Sequence, residues 1–211
     1  MQTTALTFSK PLKEPMTVVI LKNVRISFPD LFKPGKPMNE GDAAKYGCQS
    51  IIDPGSEAET AAKAAMMASA QEVFGANWQA IVKAMEKTKK CLRNGNDNLD
   101  KEGNIRDGYA DKMYLVARNK SKPALVGGKN ADGSFKHLIE ADGKPYGGCY
   151  ANVKVDIKAM KAKDKIPNQI YASLLAVQFL RDGDAFGAAP GTPEGFDDVE
   201  TAGTAESADM F

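Results

Sequence analysis

The sequence is short of the residues on which most catalytic and metal chemistry depends. Among 211 residues there is one histidine, His137, and there are three cysteines, Cys48, Cys91 and Cys149. An odd number of thiols without CxxC spacing predicts reduced cysteines rather than a disulfide framework. Zinc needs thiolate and imidazole ligands grouped at short spacing. These four residues are scattered, so neither a metal site nor a cofactor is expected. No GxSxG, P-loop or HExxH pattern occurs. The pairs Gly127-Gly128 and Gly147-Gly148 do not open a helix, which removes the mechanical reason for a phosphate cradle there. No enzymatic activity is expected. Carboxylates are plentiful, however, so a metal-dependent nuclease stays open as an alternative. The sequence also lacks the roughly 18-residue apolar run that a membrane span requires. Met1 to Pro15 has no signal-peptide core, and an intracellular protein without a membrane partner is expected.

What is present is an uneven distribution of charge. Hydrophobic residues make up 43% and charged residues 26%, which supports a packed core. The net charge is only +1. Yet Asp182, Asp184, Glu194, Asp197, Asp198, Glu200, Glu206 and Asp209 all lie beyond Arg181, with no Lys or Arg among them. Residues 1–181 therefore hold all 28 basic residues against 19 acids and carry +9. A cationic body suits a polyanion, and the acidic segment resembles one.

The chain reads as a loose arm over 1–15, a folded domain over 16–181 and a disordered acidic tail over 182–211. In Met16 to Phe28, Val18, Ile20, Val24, Ile26 and Phe28 share one parity, which predicts a long half-buried strand. Tyr46 to Ile52 predicts a second strand. A helical insertion follows at about 56–90. Ser56 and Glu59 have capping-box spacing, Ala62, Met66, Ser69 and Val73 form one face, and Gly75 is suited to end the helix. Trp78, Ile81, Val82 and Met85 predict a second amphipathic helix with the indole in the core. Further strands are expected over 109–118, 124–126, 135–139, 150–157 and 171–180. Strands on both sides of one helical insertion do not alternate regularly with helices. The pattern disfavours a doubly wound sheet and fits a mainly β, α+β protein built on a small antiparallel barrel.

Strand parity supplies the candidate site. Side chains alternate faces along a strand. Over 109–118, Met113, Leu115 and Ala117 share one face, and Lys112, Tyr114 and Arg118 the other. Over 150–158, Ala151, Val153, Val155 and Ile157 form an apolar face opposite Tyr150, Asn152, Lys154 and Lys158. Cations that track phosphates beside rings that stack on unpaired bases are what single-stranded nucleic acid requires. Lys120 and Lys122 directly follow the first of these strands and extend the candidate contact surface. Lys33, Lys36, Lys45, Arg106, Lys161, Lys163 and Lys165 lie in loops, where solvation alone accounts for most lysines. The tail closes on Asp209, Met210 and Phe211, an acid beside a terminal ring, which suits docking to a protein partner.

Four stretches carry a family resemblance: LKNVRISFPDLFKP (21–34), DGYADKMYLVARNKSKP (107–123), YGGCYANVKVDIKA (146–159) and LLAVQFLRDGDAFG (174–187). Through them the chain resembles the phage single-stranded DNA-binding proteins with an OB-fold. The resemblance implies a five-stranded OB-type barrel in the cytoplasm of a host cell. It also implies sequence-independent binding of single-stranded DNA in phage replication or recombination, with partner proteins of those processes recruited by the tail. A protein that acts through its acidic tail and binds no DNA is the remaining alternative.

Overall fold

A computed structural model of the chain describes residues 16–37, 41 and 43–187. The expected arm at 1–15 lies outside these residues, as do 188–211 with Asp209, Met210 and Phe211.

Eight strands form one sheet: β1 (Val18–Gly35), β2 (Lys45–Ile52), β3 (Leu92–Asn94), β4 (Met113–Asn119), β5 (Ala124–Lys129), β6 (Phe135–His137), β7 (Tyr150–Met160) and β8 (Gln169–Arg181). Their order is β3-β4-β2-β1-β7-β8-β5-β6, and an added β4–β8 pairing closes β1, β2, β4, β8 and β7 into a five-stranded barrel. The expected OB-type barrel is present. It is mixed rather than wholly antiparallel, because the closing pair, Ala117 with Ala172, is parallel. Leu21, Ile26, Ile52, Leu115, Val153 and Leu174 are among the side chains that fill its interior.

The helical insertion comprises α1 (Glu57–Phe74) and α2 (Trp78–Ala84). Ser56 Oγ accepts from Glu59 N at 3.2 Å, the first half of the capping box. The returning Glu59 carboxylate bonds Gly55 N at 2.7 Å, one residue before the cap. Gly75, at φ 64, ends α1. Ala58, Ala62, Ala65 and Ser69 are buried along α1, which packs on β1 and β7. Short side chains let its backbone come close, so Ser69 Oγ accepts from Ala159 N of β7 at 2.7 Å. Trp78 packs against the main core, as its helical spacing predicts.

Sequence parity fails in β1. Ile20 and Phe28 were expected inside, but they are 47% and 49% exposed. Asn23 and Phe28 adopt left-handed φ values of 48° and 47°, and the pairing register shifts at both places. Each irregularity resets the alternation, so Val24 and Ile26 face the core as expected, while Leu21 and Leu31 take the inward places of Ile20 and Phe28. Residues 109–112, expected in strand, instead form the last turn of an excursion that leads into β4. That excursion, 95–112, lies against the outside of β2 and β4. Ile51, Tyr109 and Tyr114 form a second buried cluster there, with Val116 and Phe186 against it.

The expected tail boundary at 182 also moves. Residues 182–187 form no regular structure but run along the barrel as a strap. Arg25 Nη2 donates to Asp184 O at 2.6 Å, and Arg25 Nε to Gly148 O at 3.0 Å. Lys144 pairs with Asp182 at 2.7 Å. Gly148, at φ 111, permits this approach: a Cβ there would stand 2.1 Å from Asp184 O.

Candidate nucleic-acid interface

The outer faces of β1, β2 and β4 form a continuous surface. Register places Ser27 opposite Gln49 and Asp30 opposite Gly47, then Gln49 opposite Val116 and Gly47 opposite Arg118. Gly47 leaves room for Arg118 to lie across β2. A Cβ at that position would meet Ala117 O at 2.8 Å and Arg118 Cγ at 2.9 Å.

Two hollows open on this surface. The smaller, about 170 Å³, is lined by Asp30, Lys36, Lys45, Gln49 and Arg118 among others. The larger, about 570 Å³, is bounded by Arg106 and Tyr109 of the 95–112 excursion, Phe186 of the strap and Tyr146 before β7, among others. Phe28 lines both and stands where they meet. The Arg106 guanidinium lies over its ring, 5.3 Å from the centroid. A bulky residue at positive φ is a backbone outlier, and here the outlier presents a half-exposed ring between cations.

The excursion that walls the larger hollow is pinned from below. The Tyr109 hydroxyl donates to Gln49 Oε1 at 2.7 Å, and Asn98 Nδ2 donates to the same oxygen at 3.3 Å. Burial pushes the Tyr109 phenol up to about 12. Tyr109 and Tyr114 pack edge to face with centroids 5.2 Å apart. Asp100 accepts from Asn104 N at 2.8 Å and Glu102 N at 3.0 Å, and the first of these donors does most to hold its carboxyl below the usual range.

Over residues 17–210 the chain matches the family described as the single-stranded DNA-binding protein of Enterobacter phage Enc34. The chain belongs to this phage single-stranded DNA-binding protein family. A family relative, protein p50 of Acyrthosiphon pisum secondary endosymbiont phage 1, is 35% identical over 186 residues, which are 86% of this chain and 94% of the relative. Among solved structures, the fold is shared with the Enc34 single-stranded DNA-binding protein in complex with ssDNA. That match has a TM-score of 0.62 at 17% identity and covers 84% of this chain and 97% of the other. Gp2.5, the single-stranded DNA-binding protein of bacteriophage T7, has the same fold at a TM-score of 0.52 and 10% identity, over 86% of this chain and 98% of gp2.5.

On this family's barrel, the residues singled out by parity fall into two groups. Arg118 lines the smaller hollow. Tyr114, expected as an exposed ring, is only 6% exposed, because the 95–112 excursion covers it. Lys112 pairs with Asp53. Lys120 and Lys122 are exposed after β4, and the Lys122 ammonium lies 5.9 Å from the Phe32 ring centroid. Tyr150, Asn152, Lys154 and Lys158 lie on the outer face of β7, whose inner face is buried as the alternation predicts. β4 and β7 are not neighbours: β8 separates them on one side, and β2 with β1 on the other. On β7 the Arg181 guanidinium covers the Tyr150 ring at 3.4 Å, Asn152 Nδ2 donates to Gln178 Oε1 at 2.9 Å, and Lys158 pairs with Asp156 at 2.7 Å. Sequence reasoning missed Phe28 and left Arg106 and Lys36 as ordinary loop or core residues. Pro29 was the available signal, since a proline inside a strand pattern marks an edge or a bulge.

Among the described residues, no group of three or more His, Cys, Asp or Glu side chains is placed to hold a metal ion. All three cysteines are free and buried. Burial pushes the Cys48 and Cys91 thiols up to about 12.

Proposed function

We propose that the chain binds single-stranded DNA without catalysis, along the outer face of β1, β2 and β4. The observation that carries this reading is Phe28, whose left-handed backbone holds a half-exposed ring beside Arg106 and next to a hollow lined by Lys36, Lys45 and Arg118. A base stacks on such a ring while neighbouring cations neutralise phosphates, and this recognition is tolerant of sequence. In OB-folds the face of the second and third barrel strands binds oligonucleotides, together with the loops joining first to second and fourth to fifth. Here those strands are β2 and β4, and the second of those loops carries Lys161, Lys163 and Lys165. Tyr150, Asn152, Lys154 and Lys158 provide a second cationic face, onto which a longer strand extends.

Fluorescence anisotropy with oligothymidine at several salt concentrations tests this. Each phosphate contact on a single strand contributes a log–log slope of about −0.7, so four engaged cations give about −3. A slope near zero, or no binding, refutes the reading.

Family membership supports the further reading that the chain protects and organises single-stranded DNA in phage replication or recombination, and the host cytoplasm is the setting proposed with it. The acidic segment from 188 onward recruits proteins of those processes through Asp209, Met210 and Phe211. It also competes with DNA for the cationic body, because a tethered polyanion acts at roughly millimolar effective concentration. Deleting 188–211 therefore tightens DNA binding at low salt. Phe211→Ala, which leaves charge untouched, abolishes partner pull-down with DNA affinity unchanged. If Phe211→Ala keeps every partner, the tail has no recruiting role.

A further inference from the structure

A strand that covers both β4 and β7 has two routes around the barrel, one over β1 and one over β8. Over β1 the strap stands in the way. Arg25 of β1 is committed to it, donating to Asp184 O at 2.6 Å and lying 4.1 Å from the Phe186 ring centroid. The strap also carries the exposed Asp184, which repels a phosphate chain. Further along β1, Lys22 is paired with Glu57 of α1 at 2.8 Å.

Over β8 the crossing is one strand wide. Ala172 stands opposite Ala117 of β4 on one side and Ile157 of β7 on the other, and all three are buried. Side chains alternate along a strand, so Tyr171 takes the outer face of this seam, as Arg118 does on β4. Register sets Tyr171 opposite Lys158 of β7. Asn119 Nδ2 of β4 donates to Leu174 O at 3.0 Å and ties the two strands together. Among the described residues three aromatic rings are exposed: Phe28, Phe135 and Tyr171. Phe135 belongs to β6 at the edge of the sheet, so Phe28 and Tyr171 are the exposed rings of the closed barrel. Lys158 is paired with Asp156 at 2.7 Å. The adjoining loop between β7 and β8, residues 161–168, holds Lys161, Lys163 and Lys165 against Asp164. Tyr171 therefore repeats what surrounds Phe28, an exposed ring with cations beside it.

We propose that Tyr171 is a second base-stacking platform, over which a bound strand crosses the β4–β8 seam from the β1, β2 and β4 face to β7. One base stacks on the ring while neighbouring phosphates meet the lysines of the β7–β8 loop. Every base offers a π-face, so the crossing is tolerant of sequence. It rests on the single-stranded DNA reading above, and the experiment separates the two. Anisotropy titrations compare oligothymidines of about 6 and about 16 nucleotides, within the range of site sizes of OB-folds. Each is measured on the full chain, Tyr171→Ala, Tyr171→Phe and Phe28→Ala. The short strand occupies the face around Phe28, so Phe28→Ala weakens it and Tyr171→Ala leaves it unchanged. The long strand binds Tyr171→Ala about 10-fold more weakly than the unaltered chain, and Tyr171→Phe, which keeps the ring, restores it. Unchanged long-strand affinity in Tyr171→Ala, an equal loss on both lengths, or a loss in Tyr171→Phe as large as in Tyr171→Ala overturns the crossing and leaves single-stranded DNA binding standing. Failure of the unaltered chain to bind either strand overturns both.

Discussion

Phe28 combines a left-handed backbone with a ring left half in solvent, and each feature works against stability. The left-handed conformation costs a non-glycine residue about 1–2 kcal/mol. Folding alone would favour glycine at this position, so the phenyl ring is retained for another reason. Phe28→Ala and Phe28→Gly both remove the stacking platform, and each lowers DNA affinity by about 1–3 kcal/mol. Their stabilities diverge. Glycine relieves the backbone and alanine does not, so Phe28→Gly is the more stable of the two by about 1 kcal/mol in urea titrations. Equal midpoints would mean that the backbone there is unstrained. Parity counting read Phe28 as core because it assumed an unbroken alternation from Val18, and two left-handed residues break it. The same arithmetic placed Tyr114 outside the barrel correctly. It could not show that the preceding segment, Gly95 to Lys112, folds back over that side chain.

The elements legible in the sequence are those whose environment is ordinary. β7 has an apolar core on one side and solvent on the other, and its alternation reads without error from Ala151 to Ile157. The helical insertion was legible in extent, through Ser56, Glu59 and Gly75, but not in what it touches. Beside the apolar face it buries on β1 and β7, it satisfies a barrel backbone donor: Ser69 Oγ accepts the N–H of Ala159 near the end of β7. Ser69→Ala leaves that buried donor without its acceptor, which costs about 1–3 kcal/mol. The urea midpoint falls with the m-value unchanged, and DNA affinity per folded molecule stays the same, since Ser69 is buried and lines neither hollow. An unchanged midpoint would show that the contact is dispensable.

At the scale of the whole molecule, the four stretches that carry the family resemblance fall on β1, β4, β7 and β8 with their flanks, all strands of the closed barrel. The resemblance therefore reported the barrel itself. Closure by a parallel β4–β8 pair involves residues 55 positions apart, and no local pattern encodes it. Folding buries three groups that stay neutral, Cys48 and Cys91 in the main core and Tyr109 beneath the excursion, and this gives the molecule a defined alkaline limit. Cys48 and Cys91 move from 9.0 to about 12, and Tyr109 from 10.0 to about 12, each chiefly through burial. Below pH 9 all three are protonated in both folded and unfolded chains, and their stabilising effect is complete. Between about 9 and 12 the unfolded chain sheds these protons while the folded chain keeps them, so unfolding is favoured and stability falls as pH rises. A melting curve alone sums every group in the chain and does not isolate the effect. Tyr109→Phe does. It removes one titrating phenol and the bond to Gln49, leaving every lysine in place. At pH 8 the variant melts below the unaltered chain. As pH rises from about 10 to 12 the unaltered chain loses the Tyr109 contribution and the variant has none to lose, so the gap between their melting temperatures narrows. A gap that stays constant across that interval would mean that the Tyr109 hydroxyl titrates as an exposed phenol, and that the excursion over β2 and β4 stands open in solution.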